Sequence, residues 1–362
     1  KLLTPFFSID VVACAVLSNH YHLILRVMAE LVESWCDEEI MTRAGQLCPS
    51  TVEGKETWND EKREEFIATW RSRLCDISWF MRLLNEVIAR LSNEEEGCTG
   101  RFWQGRFKCK AILDESALLT TMAYVDLNPI RAGIANGLDD SSFTSIQQRL
   151  REEALRLDAE LANDSIPEQE LVEANGKGET HDELVKNEAI CSEDESSMAS
   201  EFPSATPLLK LVDASFESAS TTVGGSCSIE SSSEPQTSTR ISSATPVHEL
   251  MLEQCPRLVP TKGAADCGRA PLSISLLGYV ELLEWTGRRV REGSVGRITG
   301  RPSALLAQYG LDPEKWLESI QQFGDLGGFV GHPSLIRERA EEIGQRWLKG
   351  QGGSAMAYAQ AA

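Results

Sequence analysis

No stretch of this 362-residue chain approaches the ~18 consecutive apolar residues that a membrane span needs. Nor does a basic start followed by an apolar run and small residues mark a secretory leader. These two absences predict a cytoplasmic chain with no membrane partner. Zinc-type cysteine patterns are missing as well. The ten cysteines (Cys14, Cys36, Cys48, Cys75, Cys98, Cys109, Cys191, Cys227, Cys255 and Cys267) form no Cys-x-x-Cys pair and no zinc-finger spacing. In a long chain without a leader they read as reduced thiols rather than a disulfide framework. The chain opens at Lys1, already close to a strand, and reads as lacking its true start.

Basic charge is also scarce: 35 Lys and Arg face 55 Asp and Glu, for a net charge of -20. The imbalance is local. There are 16 basic against 22 acidic residues in 1–150, 6 against 21 in 151–250, and 13 against 12 in 251–362. The acidic third is also where Ser, Thr, Glu, Pro and Gly crowd, as in SEDESSMASEFPSATP and GGSCSIESSSEPQTSTRISSATP. Residues 158–245 therefore read as a disordered acidic linker that could be deleted, from about 165 to 240, without harm to folding. The overall charge describes that linker and leaves nucleic-acid binding open to the flanking regions.

The first domain, residues 1–150, opens with the β-rich SIDVVACAVL. A Ser18-Asn19 turn and HYHLILRV follow, so a hairpin is predicted. Residues 28–62 are mixed and polar, an insertion with short helices. From Glu61 to Arg73 and from Ile77 to Ser92 apolar residues recur at helical spacing, with Trp79, Leu83, Leu84, Val87 and Leu91 on one stripe. In GRFWQGRFKCKAIL the cations Arg101, Arg106, Lys108 and Lys110 interleave with Phe102, Trp103 and Phe107. Cations meet phosphates and aromatic faces stack bases, so the segment suits single-stranded nucleic acid. The same residues also fit an amphipathic strand with its aromatics in the core. In DESALLTTMAYVDLNPIRAG, Asp114 or Ser116 caps a predicted helix, and Pro129 is expected to end it after Asn128. Tyr124 and Asn128, four apart, share one face of that helix.

Strand alternation points His20 and His22 to one side, close enough for two imidazoles to meet one cation. An isolated His-x-His is also compatible with two hydrogen-bonded surface rings. Here it occurs with a basic aromatic segment and a tyrosine-bearing helix.

Taken in order, VLSNHYHLILRV, GRFWQGRFKCKAIL and MAYVDLNPIRAGIA resemble the HUH-type single-strand DNA transposases, specifically the REP-associated tyrosine transposases and their insertion-sequence relatives. The resemblance covers roughly residues 1–150. It implies an α+β, ferredoxin-like domain with the histidine pair on a central strand and the tyrosine on a helix beside it. It implies His20, His22 and Asn128 as ligands of Mg²⁺ or Mn²⁺, and Tyr124 as the nucleophile that cleaves and rejoins single-stranded or hairpin DNA through a 5′-phosphotyrosine. Arg101, Trp103, Arg106, Lys108, Lys110 and Arg131 are the DNA-contact candidates. A homodimer is compatible with it. Tyr21 stands where the motif usually has a bulky hydrophobe and is expected to face away from the histidines. The first strand and first helix of the family's fold find no match in this chain. Two other functions use the same residues: a DNA-binding regulator that has lost catalysis, and a relaxase-like or replication-initiating nickase.

The C-terminal SLLGYVELLEWTGRRVREGSVGRI and the later GGFVGHP also resemble the tail of longer members. A small helical domain is predicted over 270–350, a three-helix bundle with Trp316 and Trp347 as core anchors. Leu276, Val280, Leu282 and Leu283 lie near one side of its first helix. Arg288, Arg289 and Arg291 complement the dipole at that helix's end or, with Arg297 and Arg301, contact DNA. His332 is read as a loop residue outside any metal site.

Overall fold

The computed structural model describes residues 3–164, 208–215, 258–261, 272–292 and 302–349. Within it the two N-terminal β-rich runs pair as an antiparallel hairpin, β1 (Ile9–Val16) with β2 (His20–Val27). The Leu17 amide closes the turn by donating to the His20 carbonyl at 2.9 Å. One residue is bulged between Val11 and Ala13. Both strands are buried on both faces, which explains why they read as nearly continuous apolar runs.

The polar insertion contains α1 (Ala29–Ser34) and α2 (Asp37–Leu47). With α3 (Asp60–Leu74), they close a small core of Val32, Trp35, Ile40, Ala44, Ile67, Trp70 and Leu74. Asn59 caps α3 by accepting from the Lys62 amide. Next, α4 (Ile77–Glu95) begins under the Asp76 cap and covers one face of the sheet. Its buried stripe is Ile77, Phe80, Met81 and Ile88, a face rotated from the predicted one. Trp79, Leu83 and Leu84 sit at the margin and Val87 is 41% exposed. Apolar residues wrap so far around this helix that spacing alone did not single out the buried side.

The main correction concerns the acidic stretch. Leu208–Ser215, in the middle of the predicted linker, is a strand, β4, and it lies between β2 and β3 (Lys108–Ile112). It pairs antiparallel with both, His20–Val27 on one side and Lys108–Ile112 on the other. β5 (Phe329–Val330) adds to β3 in parallel, so the mixed five-stranded sheet runs β1-β2-β4-β3-β5. Deleting 165–240 would thus remove a central strand. The predicted linker also overlaps a helix, since α7 (Ser145–Asp164) continues past residue 158. Residues 165–207 and 216–245 of that prediction lie outside the described residues.

On the other face of the sheet, α5 (Glu115–Asp126) packs on β1 and β2. Asp114 caps it, accepting from the Ala117 amide at 2.7 Å. Pro129 does not end the helical path. After a break at Leu127 a further turn, α6 (Asn128–Arg131), follows with the proline in its first turn, where a missing N–H leaves no hydrogen bond unmade.

The C-terminal region is not a separate bundle: Lys1–Arg149 and Pro207–Ala362 form one unit, and Leu150–Thr206 a second. α8 (Leu276–Glu292) meets α6, and a Cβ on Gly287 would come within 3.3 Å of Leu127. Helices α9 (Ala304–Gln308) and α10 (Pro313–Gln322) pack on α8, and α11 (Pro333–Glu342) follows β5. Trp316 is buried and donates to Thr286 Oγ1 at 2.9 Å, whereas Trp347 is 68% exposed. Trp347 falls beyond the end of α11, off its buried stripe, and Leu348 is buried instead. His332 caps α11 by accepting from the Ser334 amide, and its own amide donates to Asp114. Arg291, Arg297 and Arg301 are outside the described side chains.

A buried polar network ties these pieces together beneath the sheet. Asp126 accepts from Ser145 Oγ at 2.6 Å, the Ile146 amide at 3.0 Å and the Tyr279 hydroxyl at 2.7 Å. Arg149 donates to the carbonyls of Val12 and Val259. Burial pushes the Asp126 carboxyl up against the pull of its donors and Arg149, and burial beside Asp126 raises the Tyr279 phenol well above its ordinary range. Asp126→Ala strands three buried donors and is expected to cost about 3–5 kcal/mol. Tyr279→Phe removes one donor, about 1.5–3 kcal/mol. Urea unfolding of the two variants should rank them in that order; equal midpoints to the parent would show the network to be dispensable.

Candidate active site

Antiparallel pairing sets the site. Partners across such a ladder share one face, and Asp213 of β4 is opposite both His22 of β2 and Lys108 of β3. His20 and His22 lie on that same face, with ring centroids 4.9 Å apart. Tyr21 points to the other face, buried among the core residues under α4, and donates to Asn85 Oδ1. Burial raises its phenol pKa.

Two hydrogen bonds orient the imidazoles. His20 Nδ1 donates to Asn19 Oδ1 at 2.6 Å, and His22 Nδ1 donates to Asp213 Oδ1. Each bond places the ring proton on Nδ1 and leaves the lone pair on Nε2. Burial first, and His22 second, hold the His20 imidazole below its ordinary range, against an opposing pull from Asp213. A neutral imidazole is the ligating form. His22 is 5% exposed, and its Nε2 accepts from the Asn128 amide at 2.7 Å.

The α5–α6 junction delivers the tyrosine. Tyr124 stands near the end of α5 with its ring centroid 5.6 Å from that of His22. The Arg131 guanidinium lies 4.5 Å from the Tyr124 centroid, and Phe323, in the turn after α10, stacks on the same ring at 4.4 Å with planes 29° apart. His20, His22, Tyr124, Asn128 and Arg131 are thus neighbours. Lys108 occupies the same face, two strands from His22 and exposed.

Other predicted contacts do not converge. Lys110 Nζ donates to the carbonyls of Phe323, Gly324 and Leu326 at 2.9, 3.2 and 2.9 Å, so its charge is engaged inside the protein. Burial also lowers its pKa. Trp103, with Phe102 and Phe107, packs against the core under α4, and its Nε1 donates to the Asn85 carbonyl at 2.9 Å. Its place in the core follows from the alternative reading of that segment, a strand-like stretch with its aromatics turned inward. Arg101 Nε donates to the Trp103 carbonyl, and Arg106 is exposed.

Sequence reasoning missed two residues, Asp213 and Phe323. The alternation in LLKLVDAS was the available signal for Asp213, but its Ser- and Glu-rich surroundings outweighed eight residues. Nothing local marks Phe323. Among the described residues no group of three or more His, Cys, Asp and Glu side chains is arranged to hold a metal ion. What the site offers is two imidazole nitrogens and one carboxamide. That donor set would suit a divalent ion tolerant of nitrogen once the Asn128 carboxamide turns its oxygen toward the site, because its amide nitrogen now donates to the His22 Nε2 lone pair that the ion would use. Comparison with family models, curated proteins and solved structures found no match to this chain.

Proposed function

We propose that the chain is a tyrosine transposase that cleaves and rejoins single-stranded DNA, with hairpins as substrates. The observation that carries the reading is the meeting of His22 with Tyr124 and Asn128, about a hundred residues further along the chain, in one cluster beside the half-buried Arg131 and the exposed Lys108. The sheet supports the ferredoxin-like part of the proposal. β1-β2-β4-β3 is antiparallel throughout, as in a split β-α-β fold, with β4 taking the central place that a strand ahead of β1 would otherwise hold.

In the proposed reaction the Tyr124 oxygen attacks a backbone phosphorus and loses its proton to solvent. The 3′-oxygen leaves with the bonding pair and takes up a proton. One phosphodiester is exchanged for one phosphotyrosine ester, so a later attack by a 3′-hydroxyl rejoins DNA without an external energy source. Arg131, beside the phenol, and Lys108, on the same sheet face, hold the phosphate and balance its charge. Mg²⁺ or Mn²⁺ bound by His20, His22 and Asn128 would polarise a phosphate oxygen. Asp213 fixes the His22 tautomer that makes this binding possible.

The test is incubation of the full chain with a 3′-labelled pool of single-stranded hairpins and Mn²⁺, scored for a covalent band. The parent should form it and lose it on chelation. His22→Ala should abolish it. Asp213→Ala should raise the Mn²⁺ concentration for half-maximal adduct about 10–100-fold. Hairpin binding by the parent without any adduct would favour the regulator, and efficient relaxation of a supercoiled plasmid would favour the nickase.

A further inference from the structure

We infer that the Phe323–Asp325 turn is a positioning element for the Tyr124 phenol, latched in place by Lys110; the inference rests on Tyr124 being the nucleophile. Phe323 is fully buried, and one face of its ring is taken up by Tyr124. The turn is held from outside itself. Three of its carbonyls, or of those beside it, converge on the single ammonium of Lys110, which also lies 5.1 Å from the Phe323 centroid. β3 thus supplies the latch and the C-terminal segment supplies the ring.

A phenol at the end of a helix swings about two side-chain torsions. In-line attack on phosphorus tolerates little of that swing, because a misplacement of about 1 Å can cost about 100-fold in rate. Stacking removes the swing and leaves the hydroxyl end clear, for among the described residues none hydrogen-bonds the Tyr124 oxygen. Phe323 touches no reacting atom and acts only through Tyr124. Lys110, predicted to bind DNA, acts one step further back.

Two variants test the arrangement in the full chain. Phe323→Leu keeps most of the buried volume and removes the flat ring; Lys110→Met keeps the aliphatic stem and frees the turn. Each is assayed for single-turnover adduct formation with the labelled hairpin pool and Mn²⁺, for hairpin affinity, and for tetranitromethane nitration of Tyr124 mapped by peptide mass, which needs no DNA. Adduct formation should slow about 10- to 100-fold with affinity within about twofold. Nitration of Tyr124 should rise severalfold while buried Tyr21 and Tyr279 stay protected. Unchanged or faster adduct formation in both variants overturns the inference and makes the turn a dispensable cover. Slower adduct formation with unaltered nitration overturns it too. A parent that forms no adduct sinks the transposase reading instead, and nitration then decides alone whether the turn holds the ring.

Discussion

Tyr124→Phe is expected to fold, to bind single-stranded hairpins as the parent does, and to form no covalent protein–DNA adduct at all. The substitution deletes one oxygen that no described residue hydrogen-bonds and keeps the ring that Phe323 and Arg131 contact, so packing at the site is conserved. Binding survives because affinity for DNA comes mostly from phosphate contacts with cations. The loss is complete rather than partial because the adduct is an ester of that oxygen, and no water route replaces it. Among the other described tyrosines, Tyr21 lies across the sheet and Tyr279 is buried against Asp126, while Tyr309 bonds Ser273. Denaturing gels of parent and variant with Mn²⁺, each beside a chelated control, give the answer. A band that persists in the variant assigns the chemistry to another residue.

Removing Leu208–Ser215 is expected to eliminate cooperative unfolding. The strand bonds to β2 along eight residue pairs and to β3 along five, so its loss opens two ladders in the middle of the sheet. Leu211 and Val212 are buried, and each contributes about 1.5–3 kcal/mol by burial alone. Unmade backbone hydrogen bonds add to that, against a net stability of about 5–15 kcal/mol for a typical domain. Val212→Asp probes the same place with one charge in a fully buried site and should also lower the melting midpoint steeply. Circular dichroism melts decide between the outcomes; a sharp transition at the parent's midpoint in the deletion variant would show that β4 is peripheral.

The parts of the fold that could be read from the sequence are those with local causes. The hairpin follows from two β-rich runs and a turn, and the α5 start follows from Asp114 as cap. The His20–His22 face and the Tyr124–Asn128 turn follow from periods of two and near four. β4 was hidden because eight ordinary strand residues in a Ser- and Glu-rich stretch carry too little pattern, and what makes LLKLVDAS a strand is the pair of open ladders on either side. Lys110 read as a free cation because its three acceptors lie more than two hundred residues away in sequence. The C-terminal helices could be located from their apolar spacing, but an amphipathic face does not name its partner. It takes tertiary contacts, such as those of Tyr279 and Gly287 with the α5–α6 region, to reveal that these helices cover the sheet domain. Phe323 became part of the site by the same route.

The position of β4 also sets a schedule for synthesis. A ribosome adding roughly 5–20 residues per second finishes β3 about 5–20 s, and β2 about 10–40 s, before their common neighbour leaves the tunnel. During that interval HYHLILRV and KCKAI hold unpaired backbone groups, along a mostly apolar strand in the first, which is a template for pairing with other chains. Slow codons between the two segments, or a shortage of chaperones, would lengthen the exposure. Yield in a heterologous host should therefore depend on translation speed and growth temperature more steeply than the stability of the finished protein would indicate.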